Sequence, residues 1–241
     1  MAVIMRLAMA ALLLSSGAIV AAAPVKPVTA ARKAAVTWAE TFAATPDGGF
    51  RRGNPAARVK LIEYGSLTCP HCRVFHGEAM RKLLGTYVAS GNVSYEYRSF
   101  VLNGPDYAAS LVARCSGDAK RFFAALDSFY PDQPQWTAPF IGISEADGKQ
   151  IAAQPPEKQI AALARVGKLD AYAAKLGMER TRFDACVGDK AAADRLVEIR
   201  KVAVDTYKVT GTPGFIINGV YQEDVSDWRL LEPNLQAALK P

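Results

Sequence analysis

The chain has 241 residues, of which 50% are hydrophobic and 22% charged, enough apolar matter for a full core and too little polarity for intrinsic disorder. Its formal net charge is +6, but acidic and basic residues are interspersed. Pairs such as Arg51-Arg52 stand without an aromatic–basic stripe or a long Lys/Arg run, which argues against nucleic acid as a partner.

In chain order, Arg6 precedes an apolar run from Leu7 to Val20, and the small residues Ala21-Ala22-Ala23 follow just before Pro24. This is the layout of a secretory signal peptide over residues 1–22, cleaved after Ala22. The apolar run is about 14 residues, short of the roughly 20 that span a bilayer. No later run approaches that length, so the mature chain is expected to be exported, soluble and not membrane-spanning. Four cysteines remain in it: Cys69, Cys72, Cys115 and Cys186. An even count in an exported chain points to disulfides rather than metal thiolates.

Residues 23–57 read as a tail and a hairpin, with Trp38 and Phe42 in an extended segment and Pro46-Asp47-Gly48-Gly49 as the turn. Residues 58–104 read as strand, helix, strand. Val59 to Tyr64 is mostly apolar, Cys72 to Tyr87 has helical spacing, and Val93 to Leu102 alternates, which makes a βαβ unit with parallel strands. Residues 105–201 are Ala-rich and helical in period, with predicted helices over 107–116, 120–130, 156–166 and 191–207. Pro131, Pro134, Pro139 and Gly142 punctuate them. Residues 202–241 return to a short strand at Phe215-Ile216-Ile217, an Asn218-Gly219 hairpin turn and a closing amphipathic helix from Trp228.

Cys69-Pro70-His71-Cys72 follows directly on the first strand of the βαβ unit and opens its helix. A thiolate is the reactive form of cysteine, and a helix N-terminus offers unpaired N–H groups and the positive end of a dipole to stabilise it. Cys69 is expected to be the exposed member and Cys72 the less accessible one. The His71 imidazole between them would favour the thiolate further. A zinc or copper carrier using Cys69, Cys72 and His71 is the reading from a different class, but zinc would want a second closely spaced ligand pair.

The stretch from Gly53-Asn54-Pro55 to Cys72 resembles the DsbA-like exported oxidoreductases of the thioredoxin superfamily, where such a strand leads into Cys-Pro-His-Cys. A second signature, Gly211-Thr212-Pro213 before Phe215-Ile216-Ile217, is similar to the loop in which those proteins carry a cis-proline against the redox cysteines. The resemblance implies an α/β thioredoxin fold with a helical insertion between the βαβ and ββα halves. It also implies that Thr212 and Pro213 face the Cys69–Cys72 pair. Glu63 stands where thioredoxin-like proteins often place a buried acid, able to shuttle the proton of Cys72; a half-exposed strand glutamate is the alternative. Arg98 is a candidate partner for Glu63 or a surface residue, and His76 reads as structural. Some DsbA-like proteins carry a second disulfide in the insertion, which implies a Cys115–Cys186 bridge, with two free thiols as the alternative.

The expected activity is thiol–disulfide exchange at Cys69-Cys72, introducing disulfides into reduced exported proteins in the periplasm. The resemblance implies reoxidation by a DsbB-like membrane partner and no cofactor or metal. An isomerase or reductase using the same cysteines is the runner-up, because Thr212 before the proline is a feature of isomerase-like members.

Overall fold

The computed structural model describes residues 37–240, so the expected signal peptide and the tail as far as residue 36 lie outside the described residues. Strands β1 (Phe42–Ala44) and β2 (Phe50–Gly53) form the hairpin around Pro46-Asp47-Gly48-Gly49. Trp38 departs from the extended expectation, since Trp38–Glu40 makes one 3-10 turn. The turn lays the indole on Gly91, where φ is +80° and a Cβ would stand 2.6 Å from the ring nitrogen.

Strand β3 (Val59–Gly65), helix α1 (Pro70–Lys82) and strand β4 (Val93–Ser99) form the βαβ unit, with β3 and β4 parallel. Helix α1 buries Cys72, Phe75 and Ala79, a three-to-four-residue spacing that aims one stripe at the sheet. Phe75 meets Phe215 with ring centroids 4.7 Å apart, and burying such a side chain is worth roughly 2 kcal/mol.

Eight helices follow: α2 (Gly104–Arg114), α3 (Ala119–Phe129), α4 (Gln133–Ile141), α5 (Glu145–Ala152), α6 (Pro156–Val166), α7 (Leu169–Lys175), α8 (Arg180–Val187) and α9 (Lys190–Asp205). Helix α9 runs through residue 201, the expected end of the insertion, to Asp205. Strands β5 (Gly214–Ile217) and β6 (Val220–Tyr221) and helix α10 (Trp228–Ala238) complete the chain.

The sheet order is β1-β2-β4-β3-β5-β6, which places β3, the strand leading to Cys69, in the interior. Alternation along the strands sorts side chains between two faces. Val59, Leu61, Tyr95, Tyr97 and Phe215 enter the main core with Phe75 and Leu83. Tyr64 and Ile216 point the other way and pack with Ile199 and Ala203 of α9. This is the mixed α/β thioredoxin fold with a helical insertion.

Candidate active site

Strand β3 ends at Gly65, a short turn through Ser66-Leu67-Thr68 follows, and Cys69 is the N-cap of α1, with Pro70 at the first helical position. That position suits proline, whose missing N–H is one the helix would leave unpaired. Pro70 and His71 are exposed. Cys69 is 6% exposed and Cys72 0%, so Cys69 is less open than expected, although the order between the two holds. The burial has a source across the sheet: the Cys69 thiol donates to the Thr212 carbonyl at 3.2 Å. The Thr212–Pro213 bond is cis.

The two thiols sit in opposite electrostatic environments. The Cys69 thiol is lowered to about 5, chiefly by a hydrogen bond from the Cys72 thiol, against burial. The Thr212 side chain and the backbone N–H groups of Cys72 and His71 add to the lowering. What His71 directs at the sulfur is thus its main-chain N–H. Burial pushes Cys72 well above the ordinary thiol range, helped by its bond to Cys69 and by the negative charges of Glu63 and Cys69; only the Ser66 backbone opposes. One sulfur is prepared to be a thiolate and leaving group, the other to hold its proton.

Glu63 lies beneath this pair, 1% exposed. Burial raises its carboxyl to about 8; the Tyr95 hydroxyl, donating to Oε2 at 2.5 Å, lowers it, and the Cys69 charge raises it. Gly65 leaves room for this acid, because a Cβ there would stand 2.8 Å from the Tyr97 hydroxyl and 2.9 Å from Glu63 Oε1. Arg98 is neither Glu63's partner nor a surface residue. Glu63 is in register with Tyr97 and Tyr64 with Arg98, so alternation sends Arg98 to the opposite face. There it is 3% exposed and binds Glu96 at 2.7 Å, Asp47 at 2.8 Å and the Tyr64 hydroxyl at 3.1 Å. His76 pairs with Asp127 at 3.0 Å and packs on Tyr130. Cys115 and Cys186 are disulfide-bonded, with Cα atoms 6.1 Å apart. Among the described residues, no three His, Cys, Asp or Glu side chains are grouped closely enough to hold a metal ion.

Two buried residues of the site went unnoticed in the sequence. Asp106 and Gln133, 0% and 4% exposed, both bond to the turn before Cys69. Only an Asn-x-x-Asp start to α2, with Asn103 as the cap, hinted at the first of them. Beside Pro70 a cleft of about 370 Å³ is lined by Thr68, Gln133, Thr137, Phe140 and Ile141, and Ile141 is 88% exposed.

A thioredoxin fold with a Cys-Pro-His-Cys dithiol facing a cis-proline loop defines the thiol–disulfide exchange class. The thioredoxin family profile matches residues 45–237. A crystal structure of a protein-disulfide isomerase from Novosphingobium aromaticivorans is 32% identical, with a TM-score of 0.77, covering 81% of this chain and 99% of that one. A Rickettsia bellii chain provisionally named a protein-disulfide oxidoreductase is 26% identical over 174 residues, 72% of this chain and 58% of its own length. A Rickettsia typhi chain of the same provisional name is 25% identical, covering 81% of this chain and 63% of its own length. The present chain thus spans about three fifths of these curated relatives. Wolbachia pipientis alpha-DsbA1, at 22% identity, covers 78% of this chain and 89% of its own with a TM-score of 0.63, and shares the fold. The chain belongs to the thioredoxin family.

Proposed function

We propose that this protein is an exported, periplasmic disulfide oxidase that introduces disulfides into reduced proteins by exchange at Cys69-Cys72. The observation that carries the reading is the opposed tuning of the two thiols. In the oxidised protein a substrate thiolate attacks the Cys69 sulfur, forming a mixed disulfide and expelling Cys72, which takes up a proton. A second substrate thiolate then attacks the substrate sulfur of that mixed disulfide. Cys69 leaves with the electron pair, so the substrate is oxidised by two electrons and this protein is reduced. A low thiol pKa makes Cys69 the better leaving group, and Glu63 is placed to exchange the Cys72 proton. Thr212 and Pro213 would border the bound peptide, while the exposed Ile141 and the cleft beside Pro70 offer apolar surface to an unfolded client.

No helix among the described residues is long and apolar enough to cross a membrane. Export rests on residues 1–22, and reoxidation is assigned to a DsbB-like membrane partner.

Thiolate stabilisation favours the reduced form and makes the disulfide more oxidising. Members of this fold with a cysteine near 7 have potentials of about −270 mV, and those near 3.5 about −120 mV. A Cys69 thiol of about 5 interpolates to about −180 mV. Glutathione titration of the full chain, read by alkylation of Cys69, is expected to give that value. A potential below about −220 mV would overturn the oxidase reading. The isomerase reading draws on Thr212 and on the similarity to the Novosphingobium protein-disulfide isomerase. Rapid repair of scrambled disulfides by the reduced protein would favour it.

A further inference from the structure

The turn that presents Cys69 is held by side chains that belong to neither half of the thioredoxin fold. Asp106, in the first turn of α2, accepts the Leu67 N–H on Oδ1 at 2.9 Å and the Ser66 hydroxyl on Oδ2 at 2.6 Å. The same carboxylate accepts the Leu102 N–H on Oδ2 at 2.9 Å and the Ser110 hydroxyl at 3.4 Å. From the other side, Gln133 at the start of α4 donates its amide to the carbonyls of Leu67 at 2.7 Å and Cys69 at 3.0 Å. One residue takes two donors of the turn and the other takes two of its acceptors, and both are buried.

An acidic residue in a helix's first turn ordinarily serves its own helix, by capping or by favourable interaction with the dipole. Asp106 does more. Asn103 already supplies the cap by accepting the Asp106 N–H at 3.0 Å, and the Asp106 carboxylate reaches across to β3's end and to the loop before α2. Keeping a carboxylate fully buried is unfavourable without a full set of donors, and burial raises this one to about 6 in spite of them. A buried amide aimed at two carbonyls of the same four-residue turn is a second, independent element of the arrangement.

We propose that Asp106 and Gln133 are positioning residues: they clamp the Ser66–Cys69 turn to the helical insertion and thereby fix the Cys69 sulfur where the α1 N–H groups can stabilise its thiolate. The proposal rests on Cys69 being the reactive thiolate. Its logic runs through geometry, because the donors to that sulfur, the N–H groups of His71 and Cys72, lie in the chain immediately after the clamped turn. If the turn shifts, the sulfur loses them.

The test is the ultraviolet thiolate absorbance of reduced full-length protein followed against pH. Gln133→Met removes the amide at similar volume and without any change of charge. Asp106→Asn retains one acceptor oxygen, and in either orientation of its amide the turn loses a bond: that of the Leu67 N–H where the nitrogen replaces Oδ1, that of the Ser66 hydroxyl where it replaces Oδ2. In each variant the ionisation midpoint of Cys69 is expected to rise by about one pH unit, a roughly tenfold loss of thiolate below the midpoint. Gln133→Met isolates the geometry, since no titrating group is removed there and a rise in the midpoint then reports movement of the turn.

An unchanged or lowered midpoint in Gln133→Met or Asp106→Asn overturns the clamp, as would a loss of stability alone in a denaturant titration run alongside. Should Asp106→Asn fail to fold, Ser66→Ala removes the hydroxyl link and is expected to shift the midpoint in the same direction. A wild-type midpoint in the ordinary thiol range would instead sink the functional reading, whatever the variants do.

Discussion

Replacing Cys115 and Cys186 together by alanine is expected to destabilise the protein by about 4 kcal/mol while leaving the dithiol competent. The two cysteines are 71 residues apart, and a cross-link closing a loop of that length removes about 4 kcal/mol worth of entropy from the unfolded chain. The bridge ties the C-terminal end of α2 to α8 within a small cluster that includes Val101, Leu111 and Leu196. Cys69, Cys72, Phe75 and Phe215 belong to the larger core on the sheet, so the loss should fall on the insertion first. Denaturant unfolding of the double variant, compared with wild type in its oxidised state, measures it. A change under about 1 kcal/mol would mean that the unfolded chain is already restrained between α2 and α8.

The parts of the fold that could be read in the sequence are those where one periodicity acts alone. Val59 to Tyr64 is a short, mostly apolar run and Val93 to Ser99 alternates, α1 carries its apolar stripe, and Asn218-Gly219 marks its hairpin, so both thioredoxin halves were legible. Helices α4, α5, α7 and α8 were not. In α4 Pro134 opens the helix and Pro139 lies within it, and both read as breaks. The helix persists because Trp136 is buried and donates its indole N–H to the Phe129 carbonyl at 3.0 Å. Helix α5 buries no residue, so hydrophobic spacing could not reveal it, although its cap is visible: Ser144 accepts the Asp147 N–H. Helix α7 has only seven residues.

At the site, Cys69 and Cys72 were legible because local spacing encodes their placement, and Pro213 because its loop resembles that of the DsbA-like proteins. Arg98, Asp106 and Gln133 were not, because register and long-range packing decide their partners. Asp106 meets Ser66 40 residues away in sequence, and Gln133 meets Leu67 66 residues away. Nothing in either neighbourhood distinguishes an acid that reaches across to a strand end from one that caps its own helix.

Glu63→Gln is expected to make the protein more stable near neutral pH and to reshape its stability profile. The wild-type carboxyl ionises at about 8 in the fold and at about 4.5 in the unfolded chain, a raised value. Its contribution is therefore fully present below about pH 4.5 and is lost as pH rises toward 8. By linkage, the buried carboxyl disfavours the native state by about 3 kcal/mol at pH 7, approaching about 5 kcal/mol above pH 8. Glutamine does not ionise and its side-chain oxygen still accepts the Tyr95 hydroxyl, so the difference between variant and wild type should be small at pH 4.5 and grow through that window. Denaturant unfolding of the reduced proteins across it measures the effect. Parallel curves for the two proteins would show that Glu63 ionises near its ordinary value and that the buried acid is not strained. The same substitution separates stability from chemistry. Without a titrating group beside Cys72 to supply the proton it takes up when expelled, formation of the mixed disulfide should slow even as the fold gains stability, the signature of an acid kept for exchange rather than for folding.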